Sequence, residues 1–116
     1  MNKSAAIFKI NEAISDDSQV ITPKGRDYDE YVIEVTDKLI ANVIEPVKAN
    51  VTSACFPEYY LDKYQSSEVW CIAQCKDNWL LTIASENEFA LGFGDSPNNI
   101  MMLGFSSSDV LAEWLG

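Results

Sequence analysis

Between Ser4 and Ser15 the apolar residues Ala5, Ala6, Ile7, Ile10, Ala13 and Ile14 recur at spacings of three and four. That period predicts a short amphipathic helix with Ser4 at its cap. Asp16, Asp17 and Ser18 end the pattern, Gln19 to Thr22 has the composition of a brief strand, and Pro23-Lys24-Gly25 is turn chemistry. From Tyr28 the helical spacing resumes through Val32, Val35, Leu39, Ile40, Val43, Ile44, Val47 and Val51. A long second helix is predicted, either kinked at Pro46 or divided there, because proline removes one backbone donor.

Glu58 to Ser67 is rich in tyrosine and polar residues and predicts a connection with one helical turn around Tyr59 to Tyr64. The period then changes to two. Val69–Lys76, Trp79–Ala84, Phe89–Gly94 and Ile100–Phe105 predict four strands, separated at Asp77-Asn78, Glu86-Asn87 and Asp95–Asn99. Short strands joined by tight turns predict an antiparallel meander. Ser106 to Ser108 offer caps for a last helix with Val110, Leu111, Trp114 and Leu115 on its apolar face. The expected fold is α+β in two layers, with N-terminal helices packed on a four-stranded antiparallel meander and a short C-terminal helix.

Composition narrows the chemistry. With 116 residues, 47% of them hydrophobic, residues 1–116 are expected to form a single domain with one core. There is no histidine, Arg26 is the sole arginine, and the formal net charge is -10. Imidazole acid–base chemistry and multi-arginine phosphate clamps are excluded, and a nucleic-acid backbone or an anionic bilayer would repel the chain. No apolar run reaches membrane-spanning length, and the first residues lack a secretory pattern, so a cytoplasmic location is expected. Cys55, Cys71 and Cys75 are too few for a thiolate zinc site without other ligands. Cys71 and Cys75, four apart on an expected strand, lie too far apart for a disulfide.

Acidic residues are unevenly paired. Before Asp77 there are twelve acids and eight bases, whereas from Asp77 onward there are six acids and no Lys or Arg. Such a surface confers solubility, but crowded carboxylates also repel one another, and calcium relieves that repulsion by accepting about six to eight oxygens in a tolerant geometry. Asp27, Asp29 and Glu30 lie at the start of the second helix, Glu30, Glu34 and Asp37 follow at four and three residues and so stack along one face, and these five form the first candidate metal site. Asp16 and Asp17 form the second. Acids in a first turn also complement the helix dipole, which accounts for Asp27, Asp29 and Glu30 but does less for Glu34 and Asp37, beyond that turn. Glu86 and Glu88 in one turn, and Asp95, Asn98 and Asn99 in the next, make a third acidic cluster at opposite ends of the sheet. No segment fits the loop pattern of an EF-hand.

This short, acidic, histidine-free chain with clustered carboxylates resembles the small cyanobacterial calcium-binding proteins associated with control of heterocyst differentiation. The resemblance covers length and charge and implies a non-enzymatic calcium buffer or sequestering protein, with Ca2+ as cofactor. A second expectation comes from charge alone: an immunity or antitoxin-like protein that presents an acidic face to a basic toxin such as a nuclease, with Tyr59, Tyr60 or Tyr64 as anchors. Catalysis by paired carboxylates such as Glu86 and Glu88 is the weakest of the three, because so short a chain offers little cleft.

Overall fold

A computed structural model describes residues 1–16, 24–25, 27–55, 60–103 and 105–115. The strand expected at Gln19–Thr22 and the site residue Asp17 lie outside the described residues. In chain order the elements are α1 (Lys3–Asp16), α2 (Tyr28–Ala41), β1 (Val43–Lys48), β2 (Val51–Ala54), α3 (Leu61–Ser66), β3 (Val69–Cys75), β4 (Asn78–Ile83), β5 (Phe89–Phe93), β6 (Ile100–Met102) and α4 (Val110–Leu115).

The α+β class and the predicted meander are present: β3, β4, β5 and β6 follow one another as antiparallel neighbours. The sheet, however, has six strands in the order β1-β3-β4-β5-β6-β2 and is mixed, since β2 runs parallel to β6. The two extra strands come from the segment expected to continue the second helix. That helix stops at Ala41, where the Asn42 N–H donates to the carbonyls of Ile40 and Leu39. Beyond it, Val43, Ile44, Val47 and Val51 keep a helical spacing, but their β-branched side chains fit a pleated surface better, and pairing with strands absent from the local sequence decides the outcome. Pro46 falls in the irregular stretch between the paired residues Val43 and Val47 of an edge strand, a place where a missing N–H is tolerated.

One consequence follows from lengths alone. Six strands laid flat at about 4.8 Å spacing would separate β1 from β2 by roughly 24 Å. Only Ala49 and Asn50 join them, and the three Cα steps from Lys48 to Val51 span at most about 11 Å. The sheet must therefore curl until its edges approach. The joining residues bridge both edges: the Ala49 N–H donates to the Val69 carbonyl (2.9 Å), the Asn50 N–H donates to the Pro97 carbonyl (2.8 Å), and the Ile100 N–H donates to the Asn50 carbonyl (3.0 Å). Val43–Ala54 is in effect one extended segment that closes a small, partly open barrel.

Curling divides the apolar residues into two cores. The inner face gathers Val51, Val69, Cys71, Trp79, Leu81, Ile83, Ala90, Ile100 and Met102, and Tyr64 of α3 is buried among them. On the outer face Ile72, Ala73, Leu80 and Phe89 pack against Ala6, Ile10 and Ala13 of α1, Val35 and Leu39 of α2, and Val110 and Leu111 of α4. Ile72 and Ala73 share a face because the register of β3 shifts between Cys71 and Ala73. Helices thus cover both faces, α3 lying opposite the other three, instead of one face as the two-layer expectation had it.

Local chemistry sets the helix starts. The Asn2 side chain accepts from the Ala5 N–H (2.8 Å), so Asn2 and not Ser4 caps α1. Asp27 caps α2, and Asp109 caps α4 by accepting from the Ala112 N–H (3.1 Å). Among the described residues no helix is long and apolar enough to cross a membrane.

Burial on α4 pushes the Glu113 carboxyl above the ordinary glutamate range; a hydrogen bond from Ser107 opposes this and the charge of Asp109 adds to it. The folded chain then holds a proton that the unfolded chain has already released, so stability falls as pH rises through the carboxylate range. Glu113→Gln is expected to be more stable than the native protein at pH 7 and no different at pH 3, as read by urea unfolding at the two pH values.

Candidate functional site

The expected metal ligands are set out along α2 and are not gathered. Asp27 is committed to its cap, where its carboxylate accepts from the Glu30 N–H at 3.2 Å. Glu34 pairs with Lys38 one turn on, at 3.2 Å. Asp29, Glu30 and Asp37 are exposed. A helix rises about 1.5 Å per residue, so Asp29 and Asp37 are separated by roughly 12 Å along the axis. Oxygens that share one calcium lie within about 5 Å of each other, twice the metal–oxygen distance. Asp16 is the last residue of α1, at a distance from these in the chain. Among the described residues no group of three or more His, Cys, Asp or Glu is placed to hold a metal ion.

What α2 presents instead is a mixed face. At 100° per residue, Ile33 falls between Asp29 and Asp37 and next to Glu30, opposite the buried Val35 and Leu39. Ile33 is 61% exposed. An isoleucine ringed by carboxylates does nothing for a cation, but it is the kind of side chain that a protein surface covers. Ile33 lies off the apolar stripe of α2, so helical periodicity does not single it out; its position four residues from both Asp29 and Asp37 is the sequence signal that marks it.

The tyrosines expected as anchors divide differently. Tyr64 is buried in the inner core, with its hydroxyl 2.8 Å from Ser106 Oγ, and Tyr60 is partly buried against the same core. Tyr59 lies outside the described residues. Tyr64 is therefore a core residue and not a contact surface.

Glu86 and Glu88 stand where the sequence placed them, in the β4–β5 turn, and both carboxylates are engaged. Lys63 of α3 reaches Glu88 at 2.9 Å and Glu86 at 3.3 Å, and Ser106 donates to the other Glu88 oxygen at 3.1 Å. From the opposite face Lys9 of α1 donates to the Ile83 carbonyl at 2.6 Å and lies over the Phe89 ring. Burial lowers the Lys9 pKa below its ordinary value, partly offset by the nearby charge of Glu86. These residues clamp the turn between α1 and α3. An open cleft of about 460 Å³ beside it is lined by Met1, Ala5, Phe8, Glu12 and Ser85 among others, but its lysine and Glu86 already have partners.

Cys71 is buried, which pushes its thiol up to about 12, whereas Cys75 is exposed at the end of β3. Iodoacetamide at pH 8 is accordingly expected to modify Cys75 in the folded protein and to reach Cys71 only in denaturant, as peptide mass mapping would show.

Comparison of the chain with protein-family models, with curated proteins and with solved structures finds no match among any of them.

Proposed function

We propose that the protein acts by binding a basic protein partner on the outward face of α2. The observation that carries this is the exposed Ile33 set among Asp29, Glu30 and Asp37. Carboxylates of one sign steer a cationic partner and raise the encounter rate, while an apolar side chain at the centre supplies area to bury after contact. An immunity or antitoxin role, in which the partner is a basic toxin such as a nuclease, is the biological form this chemistry fits.

An immunity gene lies beside that of its toxin, so the test begins with the product of the adjacent gene. That product is expected to be basic, to co-purify with this chain, and to bind less tightly as salt rises from 50 to 500 mM. Glu30→Lys with Asp37→Lys should slow association by about tenfold or more, and Ile33→Asp should speed dissociation. A complex indifferent to salt and to these substitutions would exclude the proposal.

Calcium, the other function expected from sequence, draws on the same side chains. An ion binding at 100 times its dissociation constant adds about 2.7 kcal/mol of stability. Under the present proposal calcium raises the melting midpoint no more than sodium chloride of equal ionic strength; a calcium-specific rise would transfer the function to the ion.

A further inference from the structure

Cross-strand pairing places Asn78 opposite Phe93, Phe93 opposite Met101, and Met101 opposite Ser53. These four form one row across β4, β5, β6 and β2. The row belongs to the outer face, because Leu80 and Phe89, at even spacing from Asn78 and Phe93, pack against the helices, while Trp79, Ile100 and Met102 point into the inner core. None of these four belongs to the core that the helices cover. Leu80 and Leu91, one row inward, are buried, whereas Asn78 and Ser53 are exposed, Phe93 is half-buried and Met101 is 41% exposed.

The charge around the row is negative. The Gly94 N–H donates to the Asp77 carbonyl at 3.0 Å, which brings the β3–β4 turn beside the β5–β6 connection and sets Asp77 and Asp95 at the same end of the sheet. Lys76 precedes Asp77 in the β3–β4 turn, and no Lys or Arg follows it in the chain. The row also adjoins α2. The Gln74 N–H donates to the carbonyl of Asn42, the residue that ends that helix, and Cys75, the next residue of β3, pairs with Asn78.

We infer that the surface for the basic partner continues from α2 across this row, with Phe93 and Met101 as apolar anchors and Asp77 and Asp95 as flanking charges. The inference rests on the reading of α2 given above. A second copy of this chain is a poor occupant, since each copy carries a net charge of -10 and would set like charges face to face. A cationic surface with projecting aliphatic side chains satisfies both the acids and the two half-exposed apolar residues.

Nuclear magnetic resonance of the 15N-labelled full chain tests it with two probes, a short peptide that alternates lysine with leucine and an oligolysine of the same length. The expected result is that the alternating peptide shifts amides of α2 together with those of Phe93, Met101 and Ser53, and that Phe93→Ser with Met101→Ser weakens its binding about tenfold while oligolysine binding is unchanged. Met101→Gln, at the more exposed of the two positions, serves if the double variant does not fold. Shifts confined to α2 would overturn this continuation and leave the α2 surface standing. Shifts at the row alone, or at neither place, would overturn both.

Discussion

Leu81→Ala is expected to cost about 3–5 kcal/mol of folding free energy, at the upper end of the range for large-to-small core substitutions. Leu81 is fully buried on the inner face, paired with Cys71 on one side and Ala90 on the other. Its cross-strand partners are small. Gly92, one inward position further along β5, lies so close that a β-carbon placed there would sit 3.1 Å from a Leu81 methyl. Neither Ala90 nor Gly92 has atoms with which to fill the space that Leu81 leaves, and the hydrogen-bonded strands on either side resist collapse, so most of the cavity should persist. For a domain of this size the melting midpoint should fall by roughly 10–20 °C. Leu115→Ala, at a position 48% exposed, is the matched control and should change stability by less than about 0.5 kcal/mol. If urea titrations gave similar losses for the two, the inner core could not be packed as described.

Gly94→Ala is expected to cost about 2–4 kcal/mol, from backbone strain together with steric overlap. Gly94 has φ of +152°, which an L side chain rarely adopts. A β-carbon there would also lie 2.7 Å from the backbone carbonyl oxygen of Asn99. That oxygen belongs to a tight connection whose Asn99 N–H donates to Ser96, and Gly94 itself accepts from the Trp79 indole at 2.8 Å and donates to Asp77. Nothing in this cluster can move without breaking another bond. Gly25 is the informative comparison: it has φ of +85° but no atom within 4 Å of an added β-carbon, so Gly25→Ala should cost only about 1 kcal/mol. Equal losses at the two glycines, measured by chemical denaturation, would show that the close approach at Asn99 is not maintained in solution.

Both predictions fall in the half of the chain whose strands could be read directly. There the alternation of apolar and polar residues, punctuated by Asp, Asn, Gly and Pro, located β3 to β6 to within two or three residues. Helix α1 and the start of α2 were equally legible from spacing. The secondary structure departs from expectation at Val43–Val51, where three-and-four spacing and β-branched composition point in different directions. Local pattern cannot arbitrate such a case, because the partners that stabilise β1 and β2 are β3 and β6, well downstream.

The site was legible in kind and not in arrangement. The sequence shows that α2 carries acids on the face opposite its core, and the structure retains that face. Whether Asp27, Glu34 and Asp37 converge depends on what each is already bonded to, and the cap at Asp27 and the Lys38 pairing of Glu34 appear only once side chains have positions. Tyr64 shows the reverse error: aromatic residues among acids suggested a contact surface, but the curled sheet left room on its inner face for one large ring.

By itself, then, the amino-acid order determined the α+β class, four antiparallel neighbours, an acidic helix face and an end of the chain without cations. These follow from period, turn chemistry and charge, all of which act over a few residues. Only the tertiary structure decided that Val43–Ala54 joins both edges of the sheet, that the carboxylates of α2 stay spread out around Ile33, and that Phe93 and Met101 emerge beyond the helices. Each of these depends on contacts between segments far apart in the chain, whose free energy no local window contains.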